Sequence, residues 1–189
     1  MIYIQDDFLP DIILNKIEEY LVNFREVNVG DKKFWVMDAE EPFVKWVLGY
    51  IGNIEGVNIE NVLSFFRIAT DKVDNTWRIH NDSIINGQQP DRALVLYLSD
   101  TELSCMHGTA FWEHKEHGDK LLKEKLTNEE FDRLLKEDSE DLTKWNLKTI
   151  IGYKKNRLLS YPCNYFHSKY PNMAWESGRK VFVMFYKVN

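Results

Sequence analysis

The chain has 189 residues, 44% of them hydrophobic and 14% aromatic, enough to fill one core but too few to divide comfortably into two, so a single domain over 1–189 is expected. Its formal net charge of −6 argues against a surface built to neutralise nucleic-acid phosphates, which needs clustered lysine and arginine. No stretch approaches the roughly eighteen consecutive apolar residues of a membrane span, and the opening Met-Ile-Tyr-Ile-Gln-Asp-Asp is acidic where a signal peptide is basic, so a soluble cytoplasmic chain without a membrane partner is expected.

The stretch "DDFLPDIILNKIEEYL" carries Ile13, Leu14, Ile17, Tyr20 and Leu21 at three-and-four spacing behind Pro10, which predicts a helix over about 10–23. "EPFVKWVLGYIG" has Pro42 near its first turn and Gly52 and Gly56 behind it, the Pro-first, Gly-last order of a second helix. From residue 62 the texture changes to short β-branched and aromatic runs: "VLSFFRIAT", "TWRIH", "RALVLYLS", "TAFWEH", "NRLLSYP", "YFHSK" and "RKVFVMFYKV". These make about seven candidate strands. "RALVLYLSD" is nearly continuous in apolar residues and is expected to be covered on both faces, with "RKVFVMFYKV" beside it. A mainly β protein with α follows, a sandwich or barrel with the N-terminal helices packed on the outside of one sheet.

Residues 115–150 interrupt the β pattern with a charged helical insert. Thr127 and Glu130 form a capping box ahead of Phe131, Leu134 and Leu135, and "DLTKWNLKTIIG" reads as a further short amphipathic piece ending at Gly152. The insert is expected to form a flap or outer layer. Lys154, Lys155 and Arg157 read as a solvated loop. The two cysteines, Cys105 and Cys163, suit a reducing compartment as small core residues.

In "TWRIHNDS", His80 and Asp82 stand two apart at the end of a β-favouring run, and on an extended chain that spacing turns both side chains to one side while Asn81 faces away. Alone, the pair reads equally as a strand running into a polar turn. His167, in "CNYFHSKYP", lies eighty-five residues beyond Asp82, and two facing sheets can bring it to the same point. Two imidazoles and a carboxylate on one face of an octahedron leave three positions open, the donor set of non-haem Fe(II) oxygenases. Arg179 follows twelve residues after His167, at the start of the last strand. An inward arginine there needs an anion, and its planar fork fits a carboxylate at two points. An organic diacid would chelate iron at one end and pair with Arg179 at the other. The plainer readings are an exposed strand-edge arginine and a half-buried, hydrogen-bonded histidine.

In this order and spacing, His80-x-Asp82, His167 and Arg179 resemble the 2-oxoglutarate and Fe(II)-dependent oxygenases. "IYIQDDFLPDIILNKI", "RALVLYLSD", "HGTAFWEHK", "NRLLSYPCNYFHSKYP" and "GRKVFVMFYKV" look like successive parts of the prolyl-hydroxylase-like branch, most of all its phage and bacterial members. The resemblance covers most of the chain and is weakest at 24–60 and 115–150. It implies a double-stranded β-helix (jelly roll, cupin-like) with helices on one side. It also implies Fe(II) held by His80, Asp82 and His167, and 2-oxoglutarate chelated by its keto and adjacent carboxylate oxygens with Arg179 at its far end. Molecular oxygen would then be consumed in hydroxylating a substrate C–H bond, with release of succinate and carbon dioxide. Asp82 favours hydroxylation over halogenation, because related halogenases lack that carboxylate.

Two departures stand out. Many relatives have a hydroxyl residue two after the arginine, where this chain has Val181; Tyr97 or Tyr161 is left to help hold the distal carboxylate. Relatives also tend to carry a double glycine before the aromatic strand, and here only Gly108 is present, followed by Thr109. Trp112, Trp175 and His114 are the candidates for substrate contact, His114 at the pocket mouth. A small molecule, a free amino acid and a peptidyl side chain all stay open as substrates, and oligomeric state is not legible.

Other readings compete. His107, His114 and His117 offer three imidazoles for zinc, but a strand ending in a charged turn would point the last two to opposite sides. A cupin-type β-barrel binding protein, or a metalloenzyme that does not use 2-oxoglutarate, would place the same residues around a pocket. Arg67 and Arg78 are candidates for orienting substrate, with an ion pair to one of the many acidic residues as the plainer account.

Overall fold

The computed structural model describes residues 1–29, 32–73, 78–82, 85, 87–100, 107–121, 127–171 and 178–189. β1 (Tyr3–Gln5) is followed by α1 (Asp11–Tyr20), β2 (Arg25–Val29), β3 (Lys32–Asp38), α2 (Glu41–Glu55) and the long β4 (Ile59–Ala69). Then come β5 (Arg92–Tyr97), β6 (Gly108–His114), α3 (Asn128–Lys136), β7 (Trp145–Gly152), β8 (Leu158–Pro162), β9 (His167–Tyr170) and β10 (Arg179–Val188). The strands form a seven-stranded sheet in the order β1-β8-β5-β10-β4-β3-β2 and a three-stranded sheet in the order β7-β6-β9.

Local chemistry accounts for the helices. Pro10 occupies the N-cap of α1, which buries Leu14 and Ile17. α2 has its proline in the first turn and ends at Gly56, whose φ of 68° is the left-handed conformation that closes a helix at little cost only for glycine. Val44, Val47 and Ile51 of α2 share one buried cluster with Leu14 and Ile17 of α1 and with Phe66, Leu94, Leu96, Phe182 and Met184 of the large sheet. Each fully buried aliphatic side chain there contributes about 1.5–3 kcal/mol.

The other face of the same strands builds a second cluster. Ala93, Val95 and Tyr97 of β5 and Val181, Val183 and Phe185 of β10 meet Phe111 of β6 and Tyr153. β5 and β10 are therefore buried on both faces, which is why their sequences are nearly continuous in apolar residues. They pair directly, from Val181 with Tyr97 to Tyr186 with Arg92. A third cluster, Ile79, Ala110, Trp112, Leu121, Leu134, Trp145 and Phe166, lies on the far side of the small sheet, where Leu134 of α3 packs.

Four expectations need correction. "DLTKWNLKTIIG" is not a helical piece: a 3-10 turn, Leu142–Lys144, leads into β7, which pairs with β6 from Gly108 opposite Gly152 to His114 opposite Trp145. A short segment with mixed apolar spacing satisfies either period, and the open edge of β6 decides it. "TWRIH" is not a regular strand among its described residues, since Arg78 takes φ 42° and His80 makes an isolated antiparallel bridge with His167. Finally, β2 and β3 lie within 24–60, outside the expected strands; β2 is mostly exposed, so no alternating apolar face marked it. Lys154, Lys155 and Arg157 are not a merely solvated loop: they pair with Asp6, Asp7, Glu18 and Asp100.

Candidate metal centre

His80 and Asp82 lie on an extended segment pinned on both sides. His80 exchanges backbone hydrogen bonds with His167 at 3.0 and 2.8 Å, the Asp82 amide donates to the Cys163 carbonyl at 2.8 Å, and the Ile79 amide donates to Ser139 at 3.0 Å. Ile79 is fully buried in the third cluster, so its neighbour His80 is turned the other way. His167 opens β9, opposite Phe111 of β6.

These three side chains converge. His167 Nε2 stands 3.2 Å from Asp82 Oδ2, and His80 Nε2 stands 3.6 Å from Asp82 Oδ1. One ligand atom from each lies within 4.8 Å of the other two, and among the described residues no other set of three or more histidine, cysteine or acidic side chains does so. Neighbouring donors at about 2.1 Å from a first-row ion sit about 3 Å apart, so small side-chain adjustments close the site. His80 Nδ1 is 2.7 Å from the Arg78 carbonyl, and His167 Nδ1 is 3.1 Å from the Tyr165 carbonyl. A carbonyl only accepts, so both Nδ1 atoms carry a hydrogen and both Nε2 atoms are the ones turned toward Asp82, the orientation a metal ligand needs.

Electrostatics point the same way. Burial and the neighbouring His167 push the His80 imidazole down to about 3, against the pull of Asp82, so it stays neutral near pH 7. Burial opposes the charge on Asp82, but His167 and His80 outweigh it and hold the carboxyl below its usual range. His80 keeps 24% of its side chain accessible, a route for ligands.

Arg179 sits on the same face of β10 as Val181 and Val183, directed between the sheets. It is buried, its guanidinium lies 5.4 Å from the Tyr97 ring and 5.8 Å from the Tyr153 ring, and its Nε has no hydrogen-bond partner among the described residues. Its backbone is clamped: the Ser99 hydroxyl donates to the Gly178 carbonyl at 2.9 Å and accepts from the Lys180 amide at 2.7 Å. The Tyr153 hydroxyl accepts from the Ser99 amide at 2.7 Å and donates to the Lys180 carbonyl at 3.0 Å. Tyr97, stacked on Tyr153 at 4.3 Å, shares a 2.8 Å hydrogen bond with Thr109. Thr109 and Phe111 are two apart on β6, about 7 Å by strand rise, so one strand carries both the hydroxyl beside Tyr97 and the ring opposite His167.

The remaining predicted site residues separate. Tyr161 is buried beside the triad, its ring 4.7 Å from that of His167; it pairs with Ala93, not at the Tyr97 end of β5, so of the two tyrosines Tyr97 is the one beside Arg179. Trp112 lies in the third cluster, its indole donating to Ser168 at 2.9 Å, on the opposite face of β6 from Phe111. His114 is buried too, with Nε2 3.1 Å from Asp138 Oδ2 and its ring stacked on His117 at 4.8 Å. The two imidazoles meet rather than point apart, because the chain turns back where His114 bridges Gly118. His107 is elsewhere, near enough to Arg179 that burial and that charge lower its proton affinity. Trp175, Trp77 and Cys105 lie outside the described residues. Cys163 is buried, and burial pushes its thiol up, away from nucleophilic use. Ser99, Thr109 and Tyr153 were missed by sequence reasoning; small hydroxyl residues and a tyrosine in apolar surroundings carry no pattern of their own.

No protein-family model matches the chain, and no curated protein matches it in sequence. Solved structures do match in shape. The non-haem α-ketoglutarate-dependent carbocyclase SnoK from nogalamycin biosynthesis superposes with a TM-score of 0.68 at 12% identity, over 100% of this chain and 79% of its own. HygX from Streptomyces hygroscopicus, crystallised with nickel and 2-oxoglutarate, gives 0.64 at 11% identity over 98% and 82%. A prolyl-4-hydroxylase from Pseudomonas putida gives 0.54 at 10% identity over 98% and 92%. The chain has the fold of the non-haem 2-oxoglutarate-dependent oxygenases, a jelly roll, and holds a His-Asp-His triad consistent with Fe(II) and 2-oxoglutarate.

Proposed function

We infer that this protein is an Fe(II)- and 2-oxoglutarate-dependent dioxygenase of the prolyl-hydroxylase-like branch that hydroxylates its substrate. The observation that carries the reading is the pairing of a triad of two imidazole Nε2 atoms and one carboxylate with a buried guanidinium whose Nε has no partner among the described residues, directed into the space between the sheets. An unpaired buried cationic nitrogen costs free energy unless a ligand meets it.

His80, Asp82 and His167 would hold Fe(II) and leave positions open for the co-substrate and oxygen. Bound there, iron supplies the activation of oxygen that couples decarboxylation of 2-oxoglutarate to oxidation of a C–H bond. Arg179 would receive the distal carboxylate, with Tyr97, oriented by Thr109, as the hydroxyl donor that Val181 cannot be. Tyr161 and Phe111 wall the imidazole of His167 and keep water from its far side. The carbonyls of Arg78 and Tyr165 fix which imidazole nitrogen faces the ion. Asp82, supplying a carboxylate where a halide would otherwise bind, favours hydroxylation.

The test is anaerobic addition of Fe(II) and 2-oxoglutarate, followed by visible spectroscopy and, on admitting oxygen, a succinate assay. A weak charge-transfer band and succinate formation are expected, both lost in Asp82→Ala and His167→Ala. A protein that binds the metal yet gives no band and no succinate overturns the reading in favour of a binding protein.

A further inference from the structure

The segment that carries His80 is held along both of its edges. On one edge His80 exchanges both backbone hydrogen bonds with His167. On the other, two successive amides end on a short 3-10 turn, Asp138–Glu140, between α3 and β7. The Ile79 amide donates to the Ser139 carbonyl at 3.0 Å, and the Arg78 amide donates to the Glu140 carboxylate at 3.0 Å. Arg78 depends on that second contact, because its φ of 42° is a left-handed conformation that a non-glycine residue keeps only where its surroundings over-determine it. Its carbonyl accepts from His80 Nδ1 at 2.7 Å. Glu140 and the imidazole of His80 are therefore attached to the two sides of one strained residue.

The turn is itself fixed from behind. The Asp138 carbonyl accepts from the Trp145 indole at 2.7 Å and from the Asp141 amide at 3.1 Å, and its buried carboxylate meets His114 Nε2 at 3.1 Å. His114 Nδ1 lies 3.2 and 3.3 Å from the amide nitrogens of Glu116 and His117. An amide only donates, so Nδ1 accepts and Nε2 is the nitrogen that donates to Asp138. Trp145 packs edge-on against His114 at 4.7 Å and against Phe166 at 5.0 Å. Phe166 and Ile79, the residues just before His167 and His80, lie in one buried cluster with Trp145 and Leu134. Neighbours on an extended chain take opposite sides, so burying these two turns both histidines of the triad the other way.

We propose that the turn Asp138–Glu140 aims His80 at the metal, with Glu140 as the positioning residue whose acceptor oxygen, through the Arg78 peptide, sets the affinity of the triad for its ion. His114 and Trp145 hold the turn, and Ser139 and Glu140 hold the chain that bears the ligand. His114 and Asp138 thereby serve the metal centre without touching it. The proposal rests on the metal-binding half of the dioxygenase reading and uses none of its oxygen chemistry. Coupling of this kind is reciprocal, so metal binding must in turn tighten the amides that the turn accepts.

Loss of a group that orients a ligating histidine commonly weakens metal binding about 10–100-fold, and Glu140 acts one bond further out. It is exposed, so replacing it leaves the core intact. The experiment titrates the full-length protein with Mn(II) alone by calorimetry and with Co(II) alone by visible spectroscopy. Glu140→Ala is expected to weaken Mn(II) binding at least fivefold and to shift the Co(II) bands. Glu140→Gln, which keeps a side-chain oxygen acceptor, should stay within about twofold of the native affinity with native bands. Urea unfolding of the metal-free variants checks that both are folded. In the native protein Zn(II), a diamagnetic probe, should slow hydrogen exchange at the Arg78 and Ile79 amides, and His80→Ala should abolish the slowing. Native Mn(II) affinity in folded Glu140→Ala, equal losses in the alanine and glutamine variants, or exchange unchanged by Zn(II) at both amides overturns the proposal, the second by assigning the effect to the charge of Glu140. If Mn(II) binds the native chain no more tightly than His80→Ala, the metal centre falls and the proposal with it. If it binds at the triad and Glu140→Ala has no effect, the proposal alone falls.

Discussion

Arg179 makes a residue-scale claim that separates co-substrate binding from metal binding. Replacing it by methionine keeps the stem and deletes the charged fork, so 2-oxoglutarate affinity should fall at least thirtyfold, about 2 kcal/mol, while Mn(II) affinity stays within twofold; calorimetric titration of each ligand checks both. Gly108 makes a claim about stability. A Cβ there would lie 2.0 Å from the Ile151 carbonyl oxygen and 3.2 Å from the Gly152 Cα, backbone atoms that cannot step aside without breaking the β6–β7 pairing. Gly108→Ala should cost about 2 kcal/mol or more in denaturant unfolding. The sequence showed this glycine as one where relatives tend to have two, yet nothing in it indicated the carbonyl pressed against its α-carbon. His80, Asp82, His167 and Arg179 were legible because their residue types and order constrain chemistry. That Trp112 lies against Ser168 and His114 against Asp138 was not legible, because an aromatic or imidazole on a strand looks the same whichever face it takes.

At the scale of elements, the N-terminal strand is tied to the far end of the chain through ions. Arg157 grips Asp6 through Nε at 2.6 Å and Nη2 at 3.1 Å and also donates to the Gly152 carbonyl, so β1, β7 and β8 are joined at one corner. The hydrogen bond from Arg157 pulls the Asp6 carboxyl down to about 2 from its ordinary 3.8, with Lys154 adding to it and partial burial opposing. A depressed carboxylate contributes stability that is present above about 3.8 and fades as pH falls toward about 2. With 39% of its side chain exposed, solvent screening limits the pair to roughly 0.5–1 kcal/mol. Asp6→Asn should therefore be less stable than the native chain by that amount at pH 7 in urea melts, and the gap should narrow steadily below pH 4. The helices α1 and α2 and the central strands β5 and β10 were readable from apolar spacing. β7 was not, because its identity depends on the unpaired edge of β6 and not on its own period.

For the whole molecule, the neutral imidazole of His80 links folding to pH. Its value in the fold, about 3, lies below the ordinary 6.5. Between those values the unfolded chain binds a proton that the folded chain does not, so stability rises with pH across that window and falls on acidification. Asp82, held low, adds to the loss at the acid end. Calorimetric melting of the metal-free protein should show a melting temperature that declines as pH drops from about 6.5, with a shallower decline in His80→Gln. By itself the sequence determined the helices, the doubly covered central strands and the three residues whose ligand atoms converge, because apolar periodicity and ligand chemistry are local properties. Only the tertiary structure decided that Tyr97 rather than Tyr161 stands beside Arg179, that Trp112 is buried against Ser168 and His114 against Asp138, and that two arginines meet on Phe34. Which face a side chain takes, and what it meets there, is set by strand register and by partners far along the chain, which no short stretch of sequence contains.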